Sequence, residues 1–128
     1  MHTLYSMQRS GNSYKIRLAL AQLRIPYRLV EIDILKGESR TPEFLAKNPH
    51  GQVPLLEAAP GRYLAESNAI LWHLVSGSPL RPENRIDRAE ALQWMFFRAA
   101  QHRAQHRLSL FLAHVGQGRP RPSTARAR

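Results

Sequence analysis

The chain has 128 residues, a net charge of +10 and no cysteine. Its length suits one domain, or one domain with part of another, and the lack of cysteine excludes a disulfide framework, a thiolate metal site and a thiol nucleophile. Apolar residues make up 43% of the sequence. Because no apolar run approaches the about 18 residues of a membrane span and no signal peptide is recognisable, we expect a folded cytoplasmic protein with no membrane partner.

The first third of the chain predicts two strands separated by a helix. Residues 3–5 predict a short strand, and from Ser13 apolar residues recur with the period of an amphipathic helix that Pro26 ends. Residues 27–34 are rich in residues that favour strands and predict a second one. Residues 36–40 are polar and predict a loop.

The middle of the chain predicts a short helix and a hairpin. Thr41 followed by Pro42 is typical of a helix N-cap and first helical position, and Asn48-Pro49-His50-Gly51 breaks this helix early. Residues 53–57 and 62–65 predict a third and a fourth strand, and the Ala-Pro-Gly sequence at 59–61 predicts the turn between them.

Two further helices complete the predicted order. One follows Ser67 and stops at Gly77, and a longer one runs from about residue 87 to 97. The order β-α-β-α-β-β-α, followed by a helix, predicts an α/β fold built as an α+β sandwich. The predicted divisions are a domain at residues 1–78, a linker at 79–86, a helical segment at 87–115 and a disordered tail at 116–128.

The positive charge is concentrated near the end of the sequence. Residues 1–97 carry a net charge of +3, whereas residues 98–128 contain seven arginines and no acidic residue. Residues 116–128 cannot bury enough apolar surface to offset the entropy lost on ordering. No aromatic residues lie among their arginines, so we expect only salt-sensitive, non-specific binding to nucleic acid and no specific nucleic-acid partner.

Gly51-Gln52-Val53-Pro54 is the most informative short motif. Proline lacks the N–H that a strand interior requires, so Pro54 belongs at an edge or in a cis turn. If the bond before Pro54 is cis, the main chain of Val53 can pair with a peptide-like ligand. The alternative is a proline that merely leads from a loop into a strand.

Two further sites lie where a strand is followed by a helix. At Glu66-Ser67, free N–H groups and the helix dipole favour an anion, while the Glu66 carboxylate could receive an ammonium group. The alternative is that Ser67 is only an N-cap. Ser10 and Asn12 begin the first helix, where their donors could stabilise a thiolate or could simply cap the helix.

The histidines predict no metal site. His102 and His106 are four residues apart on a predicted helix and could in principle chelate a metal, but no acidic residue or cysteine follows Phe97 to supply a third ligand. We therefore expect no metal. The aromatic residues near Trp94 predict a core or an interface.

From Leu4 to Phe97 the sequence resembles the N-terminal domain of a glutathione S-transferase. The resemblance depends on NPHGQVPLL followed by ESNAI, in that order and spacing. It implies a thioredoxin-like domain that binds glutathione as co-substrate, needs no cofactor and transfers the glutathione thiolate to a small electrophile. The bacterial cytosolic type with serine at the thiol position is the most similar.

The resemblance also implies roles for individual residues. Ser10 and Asn12 would face the sulfur, and Val53, ahead of a cis Pro54, would pair with the cysteinyl main chain. Glu66 and Ser67 would hold the γ-glutamyl group. Weaker candidates for the glycine end or the rim are Gln52, Arg40 and Lys36.

The resemblance weakens after Phe97, where the chain becomes rich in arginine and free of acidic residues. Members of the family usually continue into an all-helical second domain that forms most of the electrophile pocket, and we expect this C-terminal domain to be truncated here. The apolar residues left exposed disfavour a soluble monomer, and a homodimer is one outcome. The alternative function is a non-catalytic glutathione-binding or protein-interaction module.

Overall fold

The computed structural model describes residues 1–116, with side chains for residues 1–101. Four strands and four helices follow one another in the order β1-α1-β2-α2-β3-β4-α3-α4. The bounds are β1 His2–Ser6, α1 Gly11–Gln22, β2 Tyr27–Glu31, α2 Pro42–Lys47, β3 Leu55–Ala59, β4 Arg62–Leu64, α3 Ser67–Leu74 and α4 Arg85–Gly116. This order confirms the predicted thioredoxin-like α/β fold.

The strands form one mixed sheet in the order β2-β1-β3-β4. β1 pairs in parallel with β2, and helix α1 provides the crossover that parallel neighbours need. β3 runs antiparallel to both β1 and β4. β1 and β3 are therefore the two central strands of the sheet.

The main hydrophobic core lies between the sheet and helices α1 and α3. Its buried members are Leu4, Ile16, Leu20, Leu56, Ile70 and Leu74. Because successive strand residues point to opposite faces, Tyr5 lies on the other side of the sheet, where its ring makes an edge contact with the buried Phe44 of α2. This two-sided arrangement is the predicted sandwich.

Several element boundaries differ from the sequence prediction; β2, for example, ends at Glu31 rather than at residue 34. β3 begins at Leu55 rather than residue 53, because its ladder with β1 starts at the Tyr5–Leu55 pair. The predicted loop at 36–40 contains two 3₁₀ turns, Ile34–Lys36 and Glu38–Arg40. The Asp33 side chain accepts hydrogen bonds from the first turn and Gly37, with φ of 79°, ends it, which apolar periodicity does not reveal.

The chain divides into two compact units, Met1–Arg88 and Ala89–Arg128. The described part of the second unit belongs to helix α4. Trp94 and Phe96 are exposed on this helix, and the rings of Trp94 and Phe97 meet edge to face. The predicted tail lies mostly in residues 117–128, outside the described residues. No helix within residues 1–116 is long and apolar enough to cross a membrane.

The core predicts a site-specific loss of stability. Leu20 is fully buried, so Leu20→Ala should lower the free energy of unfolding by about 2 to 5 kcal/mol through lost burial and a residual cavity. Leu35→Ala makes the same chemical change at a side chain that is 75% exposed and should have little effect. Urea unfolding followed by circular dichroism measures both, and equal losses would contradict this core assignment.

Candidate functional site

The sheet topology brings three connecting segments to one edge. β1 ends at Ser6 and the antiparallel β3 begins beside it at Leu55. β4 is antiparallel to β3 in turn, and its last residue, Leu64, pairs with Leu56. The segment after β1, the segment before β3 and the segment after β4 therefore lie at the same end of the sheet.

A cleft lies at this edge of the sheet. It is lined by Asn12, Asn48, His50, Gln52, Val53, Pro54, Ala65, Glu66 and Ser67. Six of the nine predicted site residues thus line one cleft, whereas Ser10, Arg40 and Lys36 do not. The cleft also includes Asn48 and His50, which sequence reasoning treated only as part of a helix-breaking segment.

Ser10 is the N-cap of helix α1, at the start of which Asn12 reaches the cleft. The Ser13 N–H donates a hydrogen bond to the Ser10 hydroxyl oxygen at 3.2 Å. A hydroxyl has one proton to donate as well as lone pairs to accept with, so this capping bond leaves the Ser10 proton available. Capping and donation to a ligand are therefore compatible at Ser10.

The Val53–Pro54 peptide is cis, as the family resemblance implies. Val53 is half-buried, and its main-chain N–H and C=O make no hydrogen bond to the main chain of residues 1–116 or to the side chains of residues 1–101. Main-chain groups at a cleft that have no hydrogen-bond partner in the protein can pair with the main chain of a peptide-like ligand.

Glu66 occupies the N-cap position of helix α3, and Ser67 is the first helical residue. The alternative in which Ser67 serves as the N-cap is therefore not what the structure contains. Glu66 has φ of 68°, an uncommon conformation for a residue other than glycine. Strained residues of this kind concentrate at ligand sites, and no sequence pattern announces this one.

Helices α1 and α3 both point their N-termini toward this edge of the sheet. Their first N–H groups carry partial positive charge and favour an anionic ligand. At the same time the Glu66 carboxylate supplies one negative group. The combination suits a ligand with both carboxylate and ammonium groups.

The segment before Val53 is held by Asn48, whose side chain is buried. Its amide donates to the Gln52 carbonyl at 2.9 Å, and its side-chain oxygen accepts from the His50 N–H at 3.2 Å. Gly51 is buried beside this segment, and a Cβ added there would lie 2.8 Å from the Ser39 carbonyl oxygen. Asn48 and Gly51 thus fix the path of the chain into the cleft.

The two cationic candidates differ in position. The Arg40 side chain lies against Gly51, because its Nη1 would be 3.0 Å from a Cβ added there. Lys36 has a side chain that is 77% exposed and faces Asp33 at 3.7 Å. Arg40 is therefore beside the cleft segment, and Lys36 is not brought to it.

Tyr5 is the other hydroxyl near the end of β1, but it does not line the cleft. Its ring lies against Phe44 and Tyr63 on the opposite face of the sheet. Burial raises the pKa of Tyr5 above its ordinary value, and the nearby Tyr63 and Glu57 raise it further. The phenol therefore stays protonated at neutral pH.

Among the residues whose side chains are described, no group of histidine, aspartate and glutamate is arranged to hold a metal. The side chains of His102 and His106 lie outside the described residues, so the predicted absence of a metal stays a prediction for that pair.

The comparisons with known proteins agree with this geometry. A family model described as the N-terminal domain of glutathione S-transferase matches residues 1–76. A crystal structure of a possible glutathione S-transferase from Rhodopseudomonas palustris is 78% identical, with a TM-score of 0.74 over 75% of this chain and 47% of that one. A glutathione transferase homologue from Sulfitobacter, solved with bound glutathione, is 29% identical, with a TM-score of 0.71 over 77% of this chain and 49% of that one.

A curated relative has a different kind of name. The transcriptional regulator URE2 of Saccharomyces cerevisiae is 33% identical over 110 residues, which are 79% of this chain and 31% of that protein. The chain thus spans about half the length of its structural relatives and about a third of this curated one.

Gly51 provides a test of how tightly the cleft segment is packed. Gly51 and Gly61 both have positive φ, of 60° and 70°, but only Gly51 lacks room for a Cβ. Gly61→Ala should cost about 1 to 2 kcal/mol for the backbone conformation alone. Gly51→Ala should cost about 1 to 3 kcal/mol more because of the contact with Ser39. Equal losses of unfolding free energy in urea would contradict the close contact between Gly51 and Ser39.

Proposed function

The chain belongs to the glutathione S-transferase family, and we propose that it binds glutathione in the cleft and transfers the glutathione thiolate to a small electrophile. The observation that carries the proposal is the meeting of Asn12, Val53, Glu66 and Ser67 in one cleft between the N-termini of two helices. These groups complement an anionic tripeptide with one ammonium group.

Each part of glutathione has a chemical partner in this arrangement. The γ-glutamyl carboxylate suits Ser67 and the N-terminus of α3, and its ammonium suits the Glu66 carboxylate. The cysteinyl main chain suits the open N–H and C=O of Val53. The glycine carboxylate suits Gln52 and the nearby Arg40 guanidinium.

The thiol would then lie near the start of α1. The Ser10 hydroxyl and the Asn12 side-chain amide can donate to a thiolate, and the N-terminus of α1 adds favourable electrostatics. The thiol proton goes to solvent. The thiolate forms a carbon–sulfur bond to the electrophile, whose leaving group departs with its electron pair. Ser10 stabilises the nucleophile and forms no covalent bond itself.

One observation favours a second candidate. The likeness to a protein named a transcriptional regulator supports a non-catalytic glutathione-binding or protein-interaction module on the same fold. Cytoplasmic location, a role in detoxification and a homodimer stay predictions from the sequence.

The thiolate role predicts a shift in the pH dependence of bound glutathione. Ser10→Ala and Asn12→Ala each remove one donor to the thiolate. Each should raise the pKa of the bound thiol by about one to two units, because a charge-assisted hydrogen bond contributes about 1.5 to 3 kcal/mol. Thiolate absorbance titrated in the complex measures the shift. Ser76→Ala, outside the cleft, is the control. An unchanged pKa in both the Ser10 and the Asn12 variant would reject these assignments.

Binding and catalysis are separated by two measurements on the same protein. Calorimetry should detect glutathione binding, and Ser67→Ala should weaken it roughly tenfold through loss of one hydrogen bond to a charged group. Conjugation of an aromatic electrophile in parallel supports the transferase. Binding without conjugation supports the non-catalytic glutathione-binding module. No binding in the unmutated protein would overturn both of these and leave the protein-interaction module.

A further inference from the structure

The side chain of Arg17, in the second turn of α1, reaches back across the start of its own helix. Its Nη1 donates to the Ser6 hydroxyl at 2.7 Å and to the Met7 carbonyl at 3.3 Å, and its Nη2 donates to the Gln8 carbonyl at 3.0 Å. One guanidinium thus binds three consecutive residues of the segment that leads from β1 to Ser10.

The same segment is tied directly to Ser10. The Ser10 N–H donates to the Met7 carbonyl at 3.0 Å, so this carbonyl accepts from both Ser10 and Arg17. On its other side, the Met7 N–H donates to the buried Ser13 hydroxyl at 3.4 Å. Arg17 is therefore separated from the Ser10 main chain by a single shared acceptor.

The Arg17 guanidinium acts here through hydrogen bonds of fixed geometry to neutral oxygens, and not through an ion pair with a carboxylate. Among the described side chains, no carboxylate forms an ion pair with Arg17, and its three oxygen partners are neutral. Its carbon Cζ also lies 5.8 Å from the centroid of the Tyr14 ring. Several acceptors at fixed angles require the planar fork of arginine, which the single ammonium of lysine cannot reproduce.

We propose that Arg17 is a positioning residue that fixes the β1–α1 segment and so aims the Ser10 hydroxyl at the glutathione sulfur. This inference rests on the proposed function, because the orientation of the Ser10 hydroxyl matters only if a thiolate binds beside it. Arg17 is not among the residues that line the cleft. It acts through the Met7 carbonyl and the position of Ser10.

The test compares Arg17→Lys with Arg9→Lys. Both changes keep the charge, but Arg9 is exposed in the same segment and donates none of the described hydrogen bonds. Arg17→Lys should raise the pKa of the bound glutathione thiol by about half a unit to one unit, equivalent to roughly a three- to tenfold loss of thiolate below that pKa. Arg9→Lys should leave the pKa unchanged.

A second pair of measurements separates an effect on the orientation of Ser10 from an effect on glutathione affinity as a whole. Affinity for S-methylglutathione, which has no thiol to ionise, should stay within about twofold in Arg17→Lys, while kcat for an aromatic electrophile falls with the thiolate fraction. An equal loss of S-methylglutathione affinity, or an unchanged thiol pKa, would overturn the positioning role. A stability defect alone moves neither pKa nor this split.

Hydrogen exchange keeps this inference separate from the proposed function. If the unmutated protein binds no glutathione, the proposed function fails, and the aim of Ser10 at glutathione sulfur fails with it. If it does bind, Arg17→Lys should speed amide exchange at Met7 and Ser10 selectively, and unchanged protection there would overturn the inference alone. Should Arg17→Lys fail to fold, Ser6→Ala removes a single acceptor and should give a smaller rise of the thiol pKa.

Discussion

The antiparallel pairing of the two central strands is the constraint on which the site depends. The Tyr5–Leu55 pair places the end of β1 beside the start of β3, and the Leu56–Leu64 pair places the end of β4 at the same edge. The strand pairing therefore brings the segments after β1, before β3 and after β4 together, and contacts between their side chains are not needed for this. A one-residue slip in this ladder would also invert the faces on which Leu4 and Tyr5 lie, so the core and the site are set by one register.

Much of this arrangement was readable from the sequence because it depends on local patterns. The period of α1 predicts its buried face, and Thr41 caps α2 through its side-chain oxygen as its position before Pro42 predicts. Strand ends are harder to predict, because they depend on where a neighbouring strand stops. The apolar residues at 53–57 predict one continuous strand, yet the ladder begins only at Leu55.

Other parts of the site had no signal in the sequence. The positive φ of Glu66 is imposed by the turn from β4 into α3, in a residue that shows no local preference for it. The partners of Arg17 are mainly main-chain carbonyls, which every residue carries, so no residue pattern reveals them. Asn48 was visible only as a helix breaker, because the acceptor of its amide, the Gln52 carbonyl, is also on the main chain.

Arginines of the described region act as hydrogen-bond donors to the main chain. Lys36 forms an ion pair with Asp33 on the surface, where such a pair contributes little. Arg17 and Arg88 instead donate to main-chain carbonyls of connecting segments. Part of the basic composition therefore serves to hold loops in place, which needs no acidic partner.

Glutathione binding and electrophile transfer make different demands on the chain. Every residue that lines the cleft lies between Asn12 and Ser67, inside the first compact unit and inside the segment that matches the family model. Under the proposed function, recognition of the tripeptide therefore depends on one sheet edge and two helix N-termini. Transfer needs in addition a surface that holds the electrophile within reach of the sulfur. Under the proposed function, binding at the cleft and conjugation are therefore separable, and the similar proteins include one named a possible glutathione S-transferase and one named a transcriptional regulator.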